Sequence, residues 1–157
     1  MAKRASYYWD ASVFLAWIKD EKRGTVEDAG LNAAAGDITA KRVVLVSSVV
    51  ILCEVLAGEL DEEKTAMLNQ LFLRPNIVLY EVTRDVAARA GKIREACRQA
   101  RLKCPPTPDA IHLATAALVG ASEIHSFDPH FLDLNARLPQ CPAQICKPRS
   151  PQGVLGF

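Results

Sequence analysis

The N-terminal region contains Ser6-Tyr-Tyr-Trp-Asp10-Ala-Ser-Val-Phe-Leu-Ala-Trp-Ile18, a short aromatic run followed by one aspartate and a mostly apolar stretch. Residues 6–9 predict a strand, and residues 11–18 predict a helix because their apolar side chains recur at helical spacing. A strand, an acidic residue and a helix in this order are typical of parallel α/β sheets. In such sheets the functional groups gather at the carboxyl ends of the strands.

The same alternation of strand and helix continues along the chain. Further strands are predicted at residues 43–46, 77–80, 123–127 and 144–146, and helices at residues 25–35, 48–57, 61–71, 84–100, 108–119 and 132–138. Because parallel strands need crossover connections, this pattern predicts a three-layer α/β/α sandwich with a mainly parallel central sheet. Residues 1–147 are expected to form this domain, and residues 148–157 a loose C-terminal tail.

The composition is typical of one globular domain. The 157 residues are 50% hydrophobic and 24% charged, which excludes disordered and fibrous proteins. A net charge of +1 predicts no general attraction to nucleic acid or membranes, so a charge-based function needs a local cluster.

The sequence shows no membrane-spanning run or signal peptide, and its five cysteines form no C-x-x-C pair. We therefore expect a cytoplasmic protein with reduced thiols and no membrane partner.

Four carboxylates stand out against this predicted fold. Asp10 and Asp128 follow predicted strands and Asp109 opens a helix, where each could simply be a cap or a turn residue. Glu54 interrupts an apolar helix and has no Lys or Arg between residues 43 and 58. If it does not face solvent, such a carboxylate is protonated, paired with a cation or bound to a metal ion. Four carboxylates in one cleft would repel one another, and oxygen ligands select Mg²⁺ or Mn²⁺, so the set predicts a nuclease-like site.

Four sequence blocks carry these acids. The blocks are Trp9-Asp-Ala-Ser12, Glu54-Val-Leu-Ala-Gly58, Thr107-Pro-Asp-Ala-Ile-His-Leu-Ala-Thr-Ala116 and Ser126-Phe-Asp-Pro-His-Phe131. In this order they resemble the PIN-domain ribonucleases over residues 6–135, and most of all the VapC-type toxins of bacterial toxin–antitoxin pairs. The resemblance implies a metal-dependent endoribonuclease in which the four acids hold one or two Mg²⁺ or Mn²⁺ ions. The ions would activate water to attack the scissile phosphate, which leaves a 5′-phosphate.

The resemblance also implies supporting residues and partners. Ser12 and Ser126 are expected to orient neighbouring carboxylates. His112 follows Asp109 by one helical turn, and we favour a structural role for it over a metal-ligand role. The implied partners are an RNA substrate, a cognate antitoxin and a second copy of the chain in a homodimer.

A basic helix face and a rival function complete the analysis. The cations on this face are Arg84, Arg89, Lys92, Arg94, Arg98 and Arg101. They could guide an RNA backbone by phosphate contacts, and a merely solvated face explains them equally well. The rival function is a PIN-fold protein that binds RNA or a partner with little catalysis. The presence of all four acids argues against it.

Overall fold

The computed structural model describes residues 4–57, 60–138 and 143–150. Five strands form one sheet in the order β3-β2-β1-β4-β5, and all neighbouring strands are parallel. The strands are β1 (Ser6–Trp9), β2 (Val44–Ser48), β3 (Ile77–Tyr80), β4 (Glu123–His125) and β5 (Gln144–Cys146). The predicted α/β class with a parallel central sheet is therefore confirmed.

Helices cover both faces of the sheet. They are α1 (Ala11–Ile18), α2 (Thr25–Thr39), α3 (Val50–Leu56), α4 (Glu62–Phe72), α5 (Arg84–Gln99), α6 (Thr107–Val119) and α7 (Pro129–Arg137). Tyr7 and Trp9 of β1 belong to a buried cluster with side chains of α1 to α4. Tyr8, between them, belongs to a second cluster with side chains of α5, α6 and α7. This alternation places one layer of helices on each face of the sheet. Every helix that the structure describes is too short or too polar to cross a bilayer.

The predicted element boundaries are wrong mainly around the last acidic block. Strand β4 ends at His125 rather than Phe127, because the Ser126 hydroxyl accepts a hydrogen bond from the backbone nitrogen of Asp128 at 3.0 Å and the chain turns there. Helix α7 starts at Pro129 rather than Leu132, with Asp128 as its N-cap. Proline fits the first position of a helix because it needs no backbone N–H there.

Several other elements also differ from their predicted bounds, among them strand β2, which runs over Val44–Ser48 rather than 43–46. Helix α2 extends to residue 39, beyond the predicted 35, and α6 starts at Thr107, with Pro106 as its N-cap in place of Thr107. Helix α3 runs over Val50–Leu56 rather than the predicted 48–57, and its N-cap is Val49, which makes no side-chain capping bond. The Ser48 hydroxyl, just before it, accepts from the backbone nitrogen of Val50 at 3.3 Å. Gly58, expected to end this helix, lies outside the described residues.

The start of the expected tail is packed against the domain. Lys147 forms an ion pair with Glu27 of α2 at 2.9 Å, and Arg149 forms one with Glu123 of β4 at 2.8 Å. The Ser150 hydroxyl donates to Asp37 of α2 at 2.7 Å. Residues 147–150 therefore form a clamp across α2 and β4, and residues 151–157 lie outside the described part of the chain. The domain boundary at residue 147 stays a prediction.

This clamp makes Gly30 of α2 sensitive to substitution. A Cβ atom at Gly30 would lie 2.3 Å from the carbonyl oxygen of Pro148, whereas a Cβ atom at Gly36 of the same helix would meet nothing within 4 Å. We expect Gly30→Ala to lower the free energy of unfolding by about 1 kcal/mol, since the overlap outweighs the gain in helix propensity. Gly36→Ala should raise it by about 0.5 to 1 kcal/mol. Urea unfolding checks both, and changes of equal sign would contradict the close contact.

Candidate active site

Asp10 lies at the carboxyl end of the central strand β1, where it is both a helix cap and a buried acid. It is 5% exposed, and its Oδ1 atom accepts a hydrogen bond from the backbone nitrogen of Val13 at 3.2 Å. The Ser12 hydroxyl donates to Oδ1 at 2.6 Å, and the Ser126 hydroxyl donates to Oδ2 at 2.5 Å. Burial is the largest influence on the pKa of Asp10 and raises it, against the opposing hydrogen bonds from the two serines.

The two serine hydroxyls also accept hydrogen bonds from the loop after β4. Ser12 Oγ accepts from the backbone nitrogen of Phe127 at 2.9 Å, and Ser126 Oγ accepts from that of Asp128 at 3.0 Å. Each hydroxyl therefore uses its single proton on Asp10 and its lone pairs on the backbone of the loop. This arrangement fixes the Asp10 carboxylate relative to residues 126–128, which is the geometry that the expected orienting role requires.

Asp109 and Asp128 both lie at helix N-termini. Asp128 caps α7 by accepting from the backbone nitrogen of His130 at 2.9 Å, and Asp109 lies in the first turn of α6. Burial is the largest cause of the raised pKa of Asp109, which is about 6. His112 opposes this rise, and the negative charges of Asp128, Asp10 and Glu54 add to it. The four predicted acids are therefore close enough to interact electrostatically.

Glu54 of α3 has a buried histidine as its partner. Its side chain is 23% exposed, and its Oε2 atom lies 2.7 Å from Nε2 of His112, a residue of α6 that follows Glu54 by 58 positions. The Nδ1 atom of His112 lies 2.6 Å from the Tyr8 hydroxyl. Both ring nitrogens are therefore engaged, which favours the structural role over the metal-ligand role. The sequence analysis missed this pair because it looked for a partner of Glu54 only among Lys and Arg residues that are close to it in the sequence.

The four acids fit a hard divalent cation by the chemistry of their donor atoms. They offer only carboxylate oxygens, and their mutual repulsion is the kind that a dication offsets. Within the described ranges, no three of these four residues bring one oxygen atom each within 4.8 Å of one another. Mg²⁺ does not need such a trio, since it is commonly bound through one or two carboxylates and keeps several waters.

A second cluster, formed by Glu123, His125 and Cys146, does bring three potential ligand atoms within 4.8 Å. Its hydrogen bonds argue against a metal. The indole Nε1–H of Trp9 donates to His125 Nδ1 at 3.1 Å, so the proton of a neutral ring is on Nε2, which lies 2.9 Å from Glu123. The Cys146 thiol donates to Glu123 Oε2 at 3.7 Å, and burial is the main cause of its raised pKa, about 11. We interpret the cluster as structural.

The basic face lies on α5, which packs against the helix that carries Asp109. Val86 and Ala90 of α5 form a buried cluster with Ala110 and Ala114 of α6. Exposed cations on this face are Arg84, Arg89, Lys92, Arg98 and Arg101, whereas Arg94 is partly buried and donates from Nε to the carbonyl oxygen of Pro105 at 3.2 Å. The sequence analysis also missed Arg23, whose guanidinium lies 4.4 Å from the centre of the Phe127 ring.

Comparisons with known proteins agree with this architecture. The VapBC2 structure from Rickettsia felis, bound to a DNA fragment from its promoter, aligns with a TM-score of 0.67 at 15% identity, over 90% of this chain and 98% of that one. FitAcB from Neisseria gonorrhoeae gives 0.62 at 15% identity, over 90% and 97%. VapC20 from Mycobacterium tuberculosis, described as a sarcin–ricin loop cleaving toxin, gives 0.57 at 19% identity, over 80% and 92%.

Sequence comparison gives the family directly. No curated protein matches the chain. A family model described as the PIN domain matches residues 7–136, a range that contains all four acids and both serines of the site. The chain therefore belongs to the PIN domain family.

Proposed function

We propose that this protein is a Mg²⁺- or Mn²⁺-dependent endoribonuclease, in which Asp10, Glu54, Asp109 and Asp128 hold one or two ions. The observation that carries this proposal is the linkage of the four acids at one end of the sheet. Ser126 joins Asp10 to the loop of Asp128, and His112 joins Glu54 to the helix of Asp109. Membership of the PIN family supports the assignment of a nuclease activity to this cluster.

The residues have distinct roles in this proposal. When bound, the ion supplies positive charge that activates water and stabilises charge on the phosphate. Asp10 is held rigidly by Ser12 and Ser126, so its carboxylate needs little reorganisation to bind the ion. Asp109 and Asp128 add negative charge from two helix N-termini. The exposed cations of the basic face would contact the RNA backbone through its phosphates.

We further propose that the protein is the toxin of a toxin–antitoxin pair. The aligned proteins include the VapBC2 structure and a member of the VapBC family of toxin–antitoxin systems, VapBC-5 from Mycobacterium tuberculosis. An RNA substrate is supported by the description of VapC20 as a sarcin–ricin loop cleaving toxin. In this proposal the chain acts in the cytoplasm, as a homodimer that a cognate antitoxin holds inactive.

Thermal unfolding with and without Mn²⁺ tests the ion site without knowledge of the RNA. At about 100 times its dissociation constant, an ion that binds only the folded protein adds about 2.7 kcal/mol, which raises Tm by about 5 to 10 °C for a domain of this size. We expect this shift in the chelator-treated wild type and a much smaller one in Asp109→Asn. Without metal, Asp109→Asn should have the higher Tm, because it removes one of four repelling charges.

Asp133→Asn is the matched control for this experiment. Asp133 is an acid of α7 whose only ion pair among the described residues is an exposed one with Arg137. It should respond to Mn²⁺ as the wild type does. If Mn²⁺ leaves the Tm of all three proteins unchanged, the nuclease proposal fails, and a PIN-fold protein that only binds RNA or a partner becomes the better hypothesis.

A further inference from the structure

We propose that His112, braced by Tyr8, is a positioning residue that fixes the Glu54 carboxylate for ion binding. This inference rests on the proposed function, since it concerns one ligand of the same site. It gives a functional role to a series of two hydrogen bonds that connects the central strand to α6 and α3. The bonds join Tyr8 to His112 and His112 to Glu54.

The chain of hydrogen bonds is short and anchored in the core. Tyr8 and His112 are both fully buried, and their rings meet edge to face with centroids 5.6 Å apart. The Tyr8 hydroxyl lies 2.6 Å from Nδ1, and Nε2 lies 2.7 Å from Glu54 Oε2. Since β1 is flanked by β2 and β4, Tyr8 has a fixed position. Through His112, Tyr8 therefore restrains the Glu54 side chain, which lies on the short, seven-residue helix α3.

The direction of each hydrogen bond follows from the donors available. The Glu54 carboxylate can only accept, so at 2.7 Å the Nε2 atom of His112 is the donor. In a neutral ring Nδ1 then carries no proton and accepts from the Tyr8 hydroxyl at 2.6 Å. Reversal of this order would leave the carboxylate facing a nitrogen lone pair. The Glu54 carboxylate and the Tyr8 hydroxyl therefore favour the same tautomer of His112.

In this arrangement the two carboxylate oxygens of Glu54 have different roles. Oε2 is held by His112, which leaves Oε1 for an ion. Helix α6 then contributes twice to the site, because Asp109 and His112 are three residues apart and lie on the same side of the helix. Asp109 would hold the ion itself, and His112 would orient a ligand that belongs to another helix.

Two substitutions of similar polarity separate positioning from packing. In His112→Gln the amide nitrogen is the same number of bonds from the backbone as Nε2, so it can still donate to Glu54. In His112→Asn the amide nitrogen matches Nδ1 instead and cannot reach Glu54. Both variants lose the buried ring, so both should be less stable than the wild type. Only His112→Asn should leave Glu54 without its donor.

Calorimetric titration of the full chain with Mn²⁺ alone measures the effect. We expect His112→Asn to bind Mn²⁺ about 10- to 100-fold more weakly than the wild type, as is typical for loss of an orienting partner, and His112→Gln to retain most of the affinity. Equal Mn²⁺ affinities of His112→Asn and His112→Gln would overturn the positioning role of His112. If the wild type itself does not bind Mn²⁺, the proposed function fails and the inference fails with it.

Nitrogen NMR of the imidazole provides a readout that needs no metal. The wild type should show a proton on Nε2 and an unprotonated Nδ1, and the opposite pattern would overturn the inference even if Mn²⁺ binds. Tyr8→Phe serves if the His112 variants do not fold, since it keeps the ring and removes the hydroxyl that lies 2.6 Å from Nδ1. This variant should bind Mn²⁺ more weakly, with a shifted Nδ1 signal. An unchanged Nδ1 signal with unchanged affinity would contradict the bracing role of Tyr8.

Discussion

Asp109→Asn is expected to lower the rate of RNA cleavage about a thousandfold, which corresponds to about 4 kcal/mol of activation free energy. The asparagine is nearly isosteric but carries no charge, so it weakens the binding of an ion whose charge stabilises the transition state. Asp109 already interacts with the charges of the other three acids, and its removal therefore affects the whole site. Cleavage of bacterial RNA in Mg²⁺, measured as new 5′-phosphate ends, is the appropriate assay.

Controls distinguish loss of chemistry from loss of folding. Asp133→Asn, at an exposed ion pair, should cleave at the wild-type rate. The circular dichroism of Asp109→Asn should match that of the wild type, because neutralising the residue relieves repulsion. Chelation of the metal should stop cleavage by the wild type. Cleavage by Asp109→Asn at the wild-type rate would exclude this residue from the site.

The fold was predictable because it depends on local sequence patterns. A strand followed by an acid and a helix specified β1, Asp10 and α1, and the structure confirms this order. The sequence analysis weighed capping against function for Asp10, but the structure shows that these alternatives do not compete. The same carboxylate caps α1 and accepts hydrogen bonds from two serine hydroxyls. Its burial, rather than its capping, makes it suitable for a site.

The contacts that orient the site were not predictable because they join distant parts of the chain. Glu54 and His112 are 58 positions apart, and no local pattern relates α3 to α6. A signal existed in the sequence, since His112 is a polar residue in an otherwise apolar part of α6, three residues after Asp109. The ion pair of Arg149 with Glu123 was missed for a different reason. Composition alone suggested a loose tail there, although charged side chains can fix a segment that has few apolar residues.

Glu123→Gln is expected to reduce stability at neutral pH by about 2 to 3 kcal/mol, an effect that should fade in acid. The Glu123 side chain is 15% exposed and contacts His125, Arg149 and Cys146. The hydrogen bond with His125 is the largest cause of its lowered pKa, about 2 instead of 4.5, and Arg149 lowers it further. A carboxyl group with this shift contributes about 3 kcal/mol at neutral pH. Glutamine keeps an acceptor for His125 but loses the charge opposite Arg149.

The sign of the pH dependence follows from the lowered pKa. The contribution of Glu123 is complete above about pH 4.5 and is lost as the pH falls from there through about 2, because the unfolded chain takes up the proton first. The difference in stability between wild type and Glu123→Gln should therefore be constant from pH 7 to 5 and shrink toward pH 3, as measured by urea unfolding. Tyr7, whose ring lies tilted by 39° against that of His125, is a phenol throughout this range and adds no pH dependence. Asp133→Asn should change stability by less than about 1 kcal/mol at any pH, since its pair with Arg137 is exposed. A difference for Glu123→Gln that does not narrow in acid would show that the charge of this carboxylate does not fix the C-terminal clamp.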